Sequence, residues 1–280
     1  MTVIHIQALQ ATSALGGVVT RSILSVPGLV GELAVVAAVV AIFVALHAFL
    51  QRRMRSDLLR RHNDVAGYLF SAVGVLYAVV LGFVVVVVWQ KYDGSVANVE
   101  NEVDAVGNLY HVVDAFTPGP RERIRAGLID YVGIVLNTEW PAMERNQEVS
   151  QLGAARLESV SYAVDTFSPA NFREFAAQQA AVGAEQRLFD ARRARLVATV
   201  PAVPAVLWFA LVAGALAMVA FCYIFGVENR PAQLVMTAIL VGLIGILFVV
   251  IEEFSTPFSG SVRISPEGWT YLQQRLPLIP

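Results

Sequence analysis

Side chains that could act in acid–base, nucleophilic or metal chemistry are few and scattered in this chain. The histidines are His5, His47, His62 and His111, and no pair of them has the spacing of a metal site. No glycine-rich phosphate loop and no serine–histidine–aspartate arrangement stands out. The single cysteine, Cys222, lies in an apolar run, where one chain can build neither a disulfide nor a cysteine metal site from it. We therefore predict that the protein is not an enzyme and has no cofactor and no metal site.

Some ionisable residues lie at the ends of apolar segments, where a charge could have a role. Glu252 and Glu253 follow the last apolar run. We interpret them as a solvated helix end, and the alternative is a cation site or a protonated carboxyl. His47 lies near the end of the first apolar run. We interpret it as an interfacial side chain, and the alternative is a proton relay.

A short basic connection joins the first two apolar segments. Its arginines are Arg52, Arg53, Arg55, Arg60 and Arg61. Basic residues beside membrane spans set topology and contact lipid phosphates. We interpret this connection as a basic loop at the membrane surface, and the alternative is a site that gathers anions.

Composition places the chain among integral membrane proteins. Of its 280 residues, 56% are hydrophobic and 15% charged, and the mean hydropathy is +0.61. This is more apolar than a soluble domain of this size can bury. The net charge of −2 and the pI near 6.1 argue against a nucleic-acid partner, because such partners need a basic surface. The expected partner is the lipid bilayer.

Four apolar runs, at residues 29–50, 66–89, 203–225 and 234–251, predict four transmembrane helices. The second has 24 residues without Asp, Glu, Lys, Arg or His. At about 1.5 Å per residue it would reach about 36 Å, which exceeds the roughly 30 Å hydrocarbon layer. Gly214, Gly242 and Gly245 in the last two runs would let helices approach closely, or they reflect common membrane composition.

The region from 91 to 200 is polar and shows helical periodicity. Apolar residues recur at intervals of three and four from Val96 to Val113, so the second span should continue as an amphipathic helix to about Phe116. The sequence Thr117-Pro118-Gly119-Pro120 should end it. Further helices follow, one of them predicted to start at a Ser168-Pro169 cap. No strand pattern of useful length is visible.

The expected fold is therefore all-α, with a helical extramembrane domain inserted between the second and third spans. The predicted segments are an interfacial N-terminal segment at 1–28, two spans at 29–90 with the basic loop at 51–65, the polar helical domain at 91–200, two spans at 201–251 and a C-terminal tail at 252–280. Both termini should share a side with the polar domain. Basic residues are nearly balanced between the two faces and do not decide which side is cytoplasmic. If the long polar region is left out of the count, the Arg-rich loop predicts the alternative, a polar domain that faces outward.

Three local patterns lie beside the second and last spans. The first is Leu81-Gly82-Phe83 followed by Trp89 and Tyr92 at the end of the second span. The second is NVENEVDAVGNL at 98–109, and the third is Thr256-Pro257-Phe258-Ser259-Gly260 after the last span. These patterns resemble the bestrophin-like bacterial membrane proteins, a family of largely unassigned function with a distant likeness to bestrophin anion channels. The order of elements from about residue 30 to 275 is also similar.

The resemblance implies a homopentamer in the cell membrane, or in the inner membrane of a Gram-negative bacterium, with the second helix of each subunit around a central pore. It also implies a cytoplasmic polar domain and a pore neck at Val75, Val79 and Phe83. These residues stand at i, i+4 and i+8, so they share one helical face. An apolar ring of this kind can gate by dewetting. The alternative is that the face packs against a neighbouring helix or lipid.

Two departures from the bestrophin pattern limit the resemblance: Ser259 is inserted in the turn and the polar domain is short, and the acidic run after the turn is missing. Calcium regulation in bestrophins uses an acidic run after the Pro-Phe-Gly turn, whereas this tail supplies only Glu267 there. We predict no calcium site. The function hypothesis is an oligomeric channel-like membrane protein that conducts anions such as chloride, and the alternative is a non-conducting scaffold or sensor whose helical domain binds a protein partner.

Overall fold

The computed structural model describes residues 3–6, 22–53, 63–225 and 229–276. The long apolar helices are α1 (Val26–Arg53), α2 (Asn63–Val112), α7 (Ala205–Ile224) and α8 (Arg230–Ser255). The shorter helices are α3 (Pro118–Ile134), α4 (Trp140–Glu144), α5 (Leu152–Asp165), α6 (Phe172–Val197) and α9 (Glu267–Arg275). The strands are β1 (Val3–Ile6), β2 (Ser22–Ser25) and β3 (Val262–Ile264).

Two compact units make up the chain. The first, called here the membrane unit, consists of Val26–Lys91 and Pro201–Ser255; the second, called the polar unit, consists of Met1–Ser25, Tyr92–Val200 and Thr256–Pro280. Helix α2 contributes its first part to the membrane unit and its last part to the polar unit. The predicted continuation of the second span as one helix is therefore confirmed, and a 3₁₀ turn at Val113–Ala115 follows it.

Four helices in the described residues are long and apolar enough to cross a bilayer, and they match the four predicted spans. In the membrane unit α1 packs along α8, and Gly245 lies so close to Val36 that an added Cβ would stand 2.9 Å from its Cγ1. On α7, a Cβ at Gly214 would stand 2.5 Å from the Tyr77 ring of α2. Both glycines therefore allow helix contacts that a larger residue would obstruct.

The polar unit is mainly helical. Its core is formed by apolar residues of α2, α3, α5 and α6, and Phe116 stacks on Phe167 with ring centroids 3.9 Å apart. Helix α6 begins with a side-chain cap that differs from the predicted Ser168-Pro169. The Asn171 side chain accepts from the Glu174 backbone N–H at 2.9 Å, and the Glu174 carboxylate accepts from the Ala170 backbone N–H at 2.7 Å. This reciprocal pairing satisfies one donor in the first helical turn and one donor just before the cap.

A small antiparallel sheet, in the order β1-β2-β3, accompanies the helices of the polar unit. The sequence predicted an interfacial N-terminal segment at 1–28 and no strand, so this sheet is a difference. Its strands have three or four residues each, too few for an alternating pattern to be recognised. Their pairing joins the N-terminal segment to the tail, which no local pattern indicates.

Candidate functional site

The predicted neck residues lie on an uncovered face of α2. In the single chain Val75 is 65% exposed, Val79 51% and Phe83 69%. Their side chains share one helical face, as the spacing predicts. An apolar face of this extent in a membrane helix faces lipid, another subunit or a pore, so the single chain leaves the role of these residues a prediction.

The opposite face of α2 is packed within the same unit. Leu81, Val84 and Val88 are buried in a cluster with Leu211 of α7 and Ile251 of α8. Tyr77 joins this side of the helix, and its hydroxyl donates to the Leu211 carbonyl at 3.1 Å. Helix α2 therefore packs one face against α7 and α8 and leaves the other face uncovered within the chain.

The second-helix motif residues divide between these faces. Leu81 is buried, whereas a Cβ added at Gly82 would meet no atom within 4 Å. Trp89 is half exposed and stands edge-on to Phe254, with ring centroids 5.2 Å apart. Tyr92, the first α2 residue of the polar unit, is buried. Packing in one chain does not require glycine at position 82.

The Pro-Phe-Gly motif forms a tight turn at the start of the tail. Pro257 is buried and its carbonyl accepts from the Ile264 backbone N–H at 2.9 Å. The Phe258 ring is buried edge-on to Trp140, with centroids 5.6 Å apart. Gly260 has φ of 87°, a left-handed conformation that favours glycine. This motif therefore has a structural role in the polar unit.

Only part of the basic loop falls within the described residues. Arg52 and Arg53 form the exposed end of α1, and the Arg53 guanidinium lies 5.4 Å from the centroid of the Phe49 ring. Arg55, Arg60 and Arg61 lie outside the described residues.

Two side chains predicted to lie at membrane boundaries, those of His47 and Glu253, are buried. His47 is 1% exposed, so it packs inside the membrane unit, and its depth in the bilayer stays a prediction. Its Nδ1 lies 2.8 Å from the Thr237 hydroxyl of α8, a partner that local sequence does not indicate. Glu253 is buried although Glu252 is exposed, so only one of the pair fits a solvated helix end. Among the residues that the structure describes, no group of three or more His, Cys, Asp and Glu side chains could hold a metal.

The sequence reasoning missed a buried ionic cluster in the polar unit. It consists of Glu102 of α2, Glu139 at the end of the π-helical turn Val135–Glu139, and Arg192 and Arg195 of α6, with Tyr131 of α3 beside them. Arg195 is fully buried and donates from Nε to Glu102 Oε2 at 2.5 Å and from Nη2 to Glu139 Oε2 at 2.6 Å.

Further contacts complete this ionic cluster. Arg192 Nη1 lies 2.8 Å from the Glu139 carboxylate, and the Tyr131 hydroxyl donates to Glu102 Oε1. Gly153 of α5 lies against the Glu139 carboxylate, where any Cβ would collide with it. Two carboxylates and two guanidiniums balance the charge of the cluster.

The electrostatic effects of this cluster follow from burial and proximity. Burial raises the pKa of Tyr131 well above its usual value, and the negative charge of Glu102 adds to the rise. Burial alone would lower the pKa of Arg195, but the charge of Glu102 and the hydrogen bonds to it outweigh burial, so this pKa lies well above its usual value. The phenol therefore stays neutral and the guanidinium stays charged.

A signal for this cluster is present in the sequence. Glu102 falls between Val99 and Val106 on the apolar face of the predicted amphipathic helix, at helical spacings of three and four. Arg192 and Arg195 fall on the same face as Leu188. A charge on an apolar face needs a buried partner. The partner itself is not readable, because Glu102 and Arg195 lie 93 residues apart.

Together, four spanning helices, a helical polar unit and an uncovered apolar face on α2 define an integral membrane protein of the four-span class. Residues 35–269 match the family model of the Bestrophin-like domain, so the chain belongs to the Bestrophin-like family. No curated protein matches the sequence.

Solved structures agree on the fold. One variant of a bacterial bestrophin homolog from Klebsiella pneumoniae has a TM-score of 0.64 and 14% identity, covering 89% of this chain and 97% of that chain. A second variant of that homolog has a TM-score of 0.61 and 13% identity, covering 85% and 98%. A structure described only as a membrane protein has a TM-score of 0.61 and 13% identity, covering 85% and 97%.

Proposed function

We propose that this chain is one subunit of an oligomeric channel that conducts anions such as chloride, with Val75, Val79 and Phe83 of α2 at an apolar neck. The observation that carries the proposal is the uncovered apolar face of α2, whose opposite face is packed against α7 and α8 of the same chain. Membership of the Bestrophin-like family supports an anion as the permeant ion and a pentamer as the assembly.

The test is anion flux in liposomes with two matched pairs of variants. Val79→Thr adds a hydroxyl to the neck at constant volume, and we expect it to raise chloride flux roughly tenfold, as a barrier lower by about 1.4 kcal/mol would. Val212→Thr makes the same change on an exposed face of α7 and should leave flux unchanged. Phe83→Ala in the neck and Phe209→Ala on α7 form the second pair.

Two outcomes would contradict the channel proposal. One is the absence of flux from verified intact oligomers over a range of pH, voltage and lipid composition. The other is an equal effect of the neck and α7 variants, which would mean that α2 faces lipid or another helix at these positions.

The polar unit is proposed to lie on the cytoplasmic side of the cell membrane, or of the inner membrane in a Gram-negative bacterium, in keeping with the family resemblance. Ser168 is an exposed loop residue suited to labelling, whereas Asn171 caps α6 and should be left intact. A Ser168→Cys variant in a Cys222→Ala background should resist an impermeant thiol reagent in intact cells and react after lysis. Labelling in intact cells would place the polar unit outside.

The second candidate is a non-conducting scaffold or sensor whose polar unit binds a protein. It is favoured by exposed aromatic residues, namely Tyr162 of α5 and Phe172 of α6, which are 72% and 84% exposed in the single chain. The mass of the complex in nanodiscs separates the candidates. A monomer or dimer cannot surround a pore with one helix per subunit, so either result would favour the scaffold.

A further inference from the structure

A second buried polar cluster lies in the membrane unit, where the last turns of α1 meet the end of α7 and the start of α8. It is a chain of hydrogen bonds through His47 and Gln51 of α1 and Gln233 and Thr237 of α8. His47 and Thr237 are fully buried, Gln233 is buried, and Gln51 is partly exposed. This last residue gives the chain a route to water.

Backbone carbonyls determine the direction of every hydrogen bond that links these four side chains. Gln233 Nε2 donates to the carbonyls of Cys222 at 3.0 Å and Phe225 at 2.6 Å, so its Oε1 must be the atom that faces Gln51. Gln51 therefore presents Nε2, which donates to Gln233 Oε1 at 2.9 Å. The same Nε2 lies 3.3 Å from His47 Nε2. An amide N–H is a donor only, so His47 Nε2 must be an acceptor.

The hydrogen bond between His47 and Thr237 agrees that His47 Nε2 carries no proton. The Thr237 hydroxyl donates to the Gln233 carbonyl at 3.0 Å, so its oxygen is left to accept from His47 Nδ1, which lies 2.8 Å away. His47 is therefore neutral, with its proton on Nδ1. A proton added at Nε2 would place two donors against each other, and Gln51 cannot reverse its amide without losing Gln233.

The charged and titratable neighbours do not relieve this conflict. On α7, the Tyr223 ring centroid lies 4.5 Å from that of His47, and the Cys222 thiol is on the preceding residue. Phenols and thiols ordinarily titrate above pH 8. At this end α1 closes with Arg52 and Arg53, α8 begins with Arg230, and the first turn of α2 carries Asp64. Among the described hydrogen-bond and ring partners of His47, none is a carboxylate.

We propose that His47 holds the end of α1 against α7 and α8 only while its ring is neutral. The hydrogen bonds of His47 with Gln51 and Thr237 are called here the lock. With His47 neutral, the chain of hydrogen bonds is closed. A proton from water, taken up at Nε2, breaks the contact with Gln51 and frees the last turns of α1. The Tyr223 hydroxyl donates to the Phe43 carbonyl at 2.8 Å, one helical turn nearer the middle of the span. This bond does not titrate with histidine, so the opening is confined to the segment after Phe43.

The sign of the pH dependence follows from which state binds the proton. The open state binds a proton that the closed state excludes, so the closed state is fully favoured above the pH at which a free histidine titrates, near 6.5, and loses stability as the pH falls below it. Each unit of pH below that value shifts the equilibrium toward the open state by roughly tenfold, until the closed state is protonated too.

Amide hydrogen exchange of the full-length protein in nanodiscs tests the lock. His47→Gln is the matched variant, because an amide supplies one donor group and one acceptor but does not titrate in this range. At pH 7.5 residues 47–53 should exchange at similar rates in both proteins. At pH 5.5 they should exchange roughly tenfold faster in the wild type than in the variant. Since both proteins are compared at the same pH, intrinsic exchange cancels.

The imidazole ¹⁵N spectrum of His47, assigned by the signals that are missing from the spectrum of His47→Gln, provides a second test. At pH 7.5 it should show a neutral ring with the proton on Nδ1, and acidification should produce the doubly protonated ring together with the rise in exchange. A ring with its proton on Nε2, or an equal response of wild type and His47→Gln to pH, would overturn the proposal. Neither measurement depends on conduction, so the channel proposal and the lock can fail independently.

Discussion

Both units of this protein bury polar side chains, but they do so with different chemistry. The polar unit joins α2 and α6 to the π-helical turn after α3 through two carboxylates and two guanidiniums, centred on Arg195, and the Tyr131 phenol adds α3. The membrane unit joins α1 and α8 through His47, Gln51, Gln233 and Thr237, and the directions of those bonds require every member to be uncharged. The first cluster is ionic and the second is neutral.

The difference reflects what surrounds each unit. Burying an ion costs several kcal/mol even in a water-soluble domain, and only a paired, hydrogen-bonded partner offsets it. At membrane depth water is farther away and an unpaired charge costs more, so a neutral chain of donors and acceptors avoids the cost. Removing one partner should therefore be more destabilising in the polar unit than in the membrane unit.

The largest effect is expected from Arg195→Met. It leaves Glu102 and Glu139 buried without their shared guanidinium, so we expect a loss of about 3–5 kcal/mol. Thermal unfolding of purified protein measures the loss. Arg193→Met, on the same helix but exposed, is the control and should change the midpoint little. Similar midpoints for the two variants would mean that the ionic cluster does not hold the polar unit together.

The next effect concerns the phenol that donates to Glu102. Tyr131→Phe removes a hydrogen bond to a charged group, worth about 1.5–3 kcal/mol. Because the pKa of Tyr131 is raised, the contribution of its neutral form is complete below the usual phenol value near 10 and is lost as the pH rises above it. The difference from wild type should stay constant from about pH 6 to pH 9. Tyr162→Phe, at an exposed phenol, should have little effect at any pH. A Tyr131→Phe difference that disappears below pH 9 would contradict this account.

Helix packing in the membrane unit should be sensitive to size instead of charge. Gly214→Ala places a methyl group 2.5 Å from the Tyr77 ring, and overpacking of this kind costs about 1–3 kcal/mol, partly offset by the better helix propensity of alanine. Gly31→Ala on α1, where a Cβ would meet nothing within 4 Å, should be neutral or stabilising. Heat stability in one lipid mixture compares the two. An unaffected Gly214→Ala would show that α2 and α7 can separate slightly without loss.

The smallest effect is expected within the neutral chain. Thr237→Val keeps the shape but removes the hydroxyl that accepts from His47, and such bonds in membrane proteins average about 0.6 kcal/mol. Ser71→Ala removes a hydroxyl that bonds only within its own helix, to the Gly67 carbonyl, and serves as the control. A loss from Thr237→Val as large as that from Arg195→Met would abolish the distinction between the two clusters.

Several features of the fold were predictable because they depend on residues near one another in sequence. Apolar length determines where a helix can span a bilayer, so the four spans follow from composition. The spacing of apolar residues after Trp89 predicted that α2 would continue into the polar unit, and it does. The family resemblance rested on motifs of this local kind and is confirmed.

The candidate site was predictable only in part. Spacing placed Val75, Val79 and Phe83 on one face, but no local pattern states what covers that face. The small sheet was missed because its strands are short and pair the N-terminal segment with the tail. The cap at Asn171 was missed because Ser168-Pro169 is an equally good local start signal, and the Glu174 side chain favours Asn171.

The sequence by itself determined that this is a four-span, all-α membrane protein with a helical polar region, because hydrophobic length and periodicity are properties of consecutive residues. Only the tertiary structure decided which polar residues are buried together. Arg195 meets Glu102 across 93 positions and His47 meets Thr237 across 190. The sequence shows which charge a side chain can carry. Its partner, and therefore whether its burial is stable, depends on which helices the fold brings into contact.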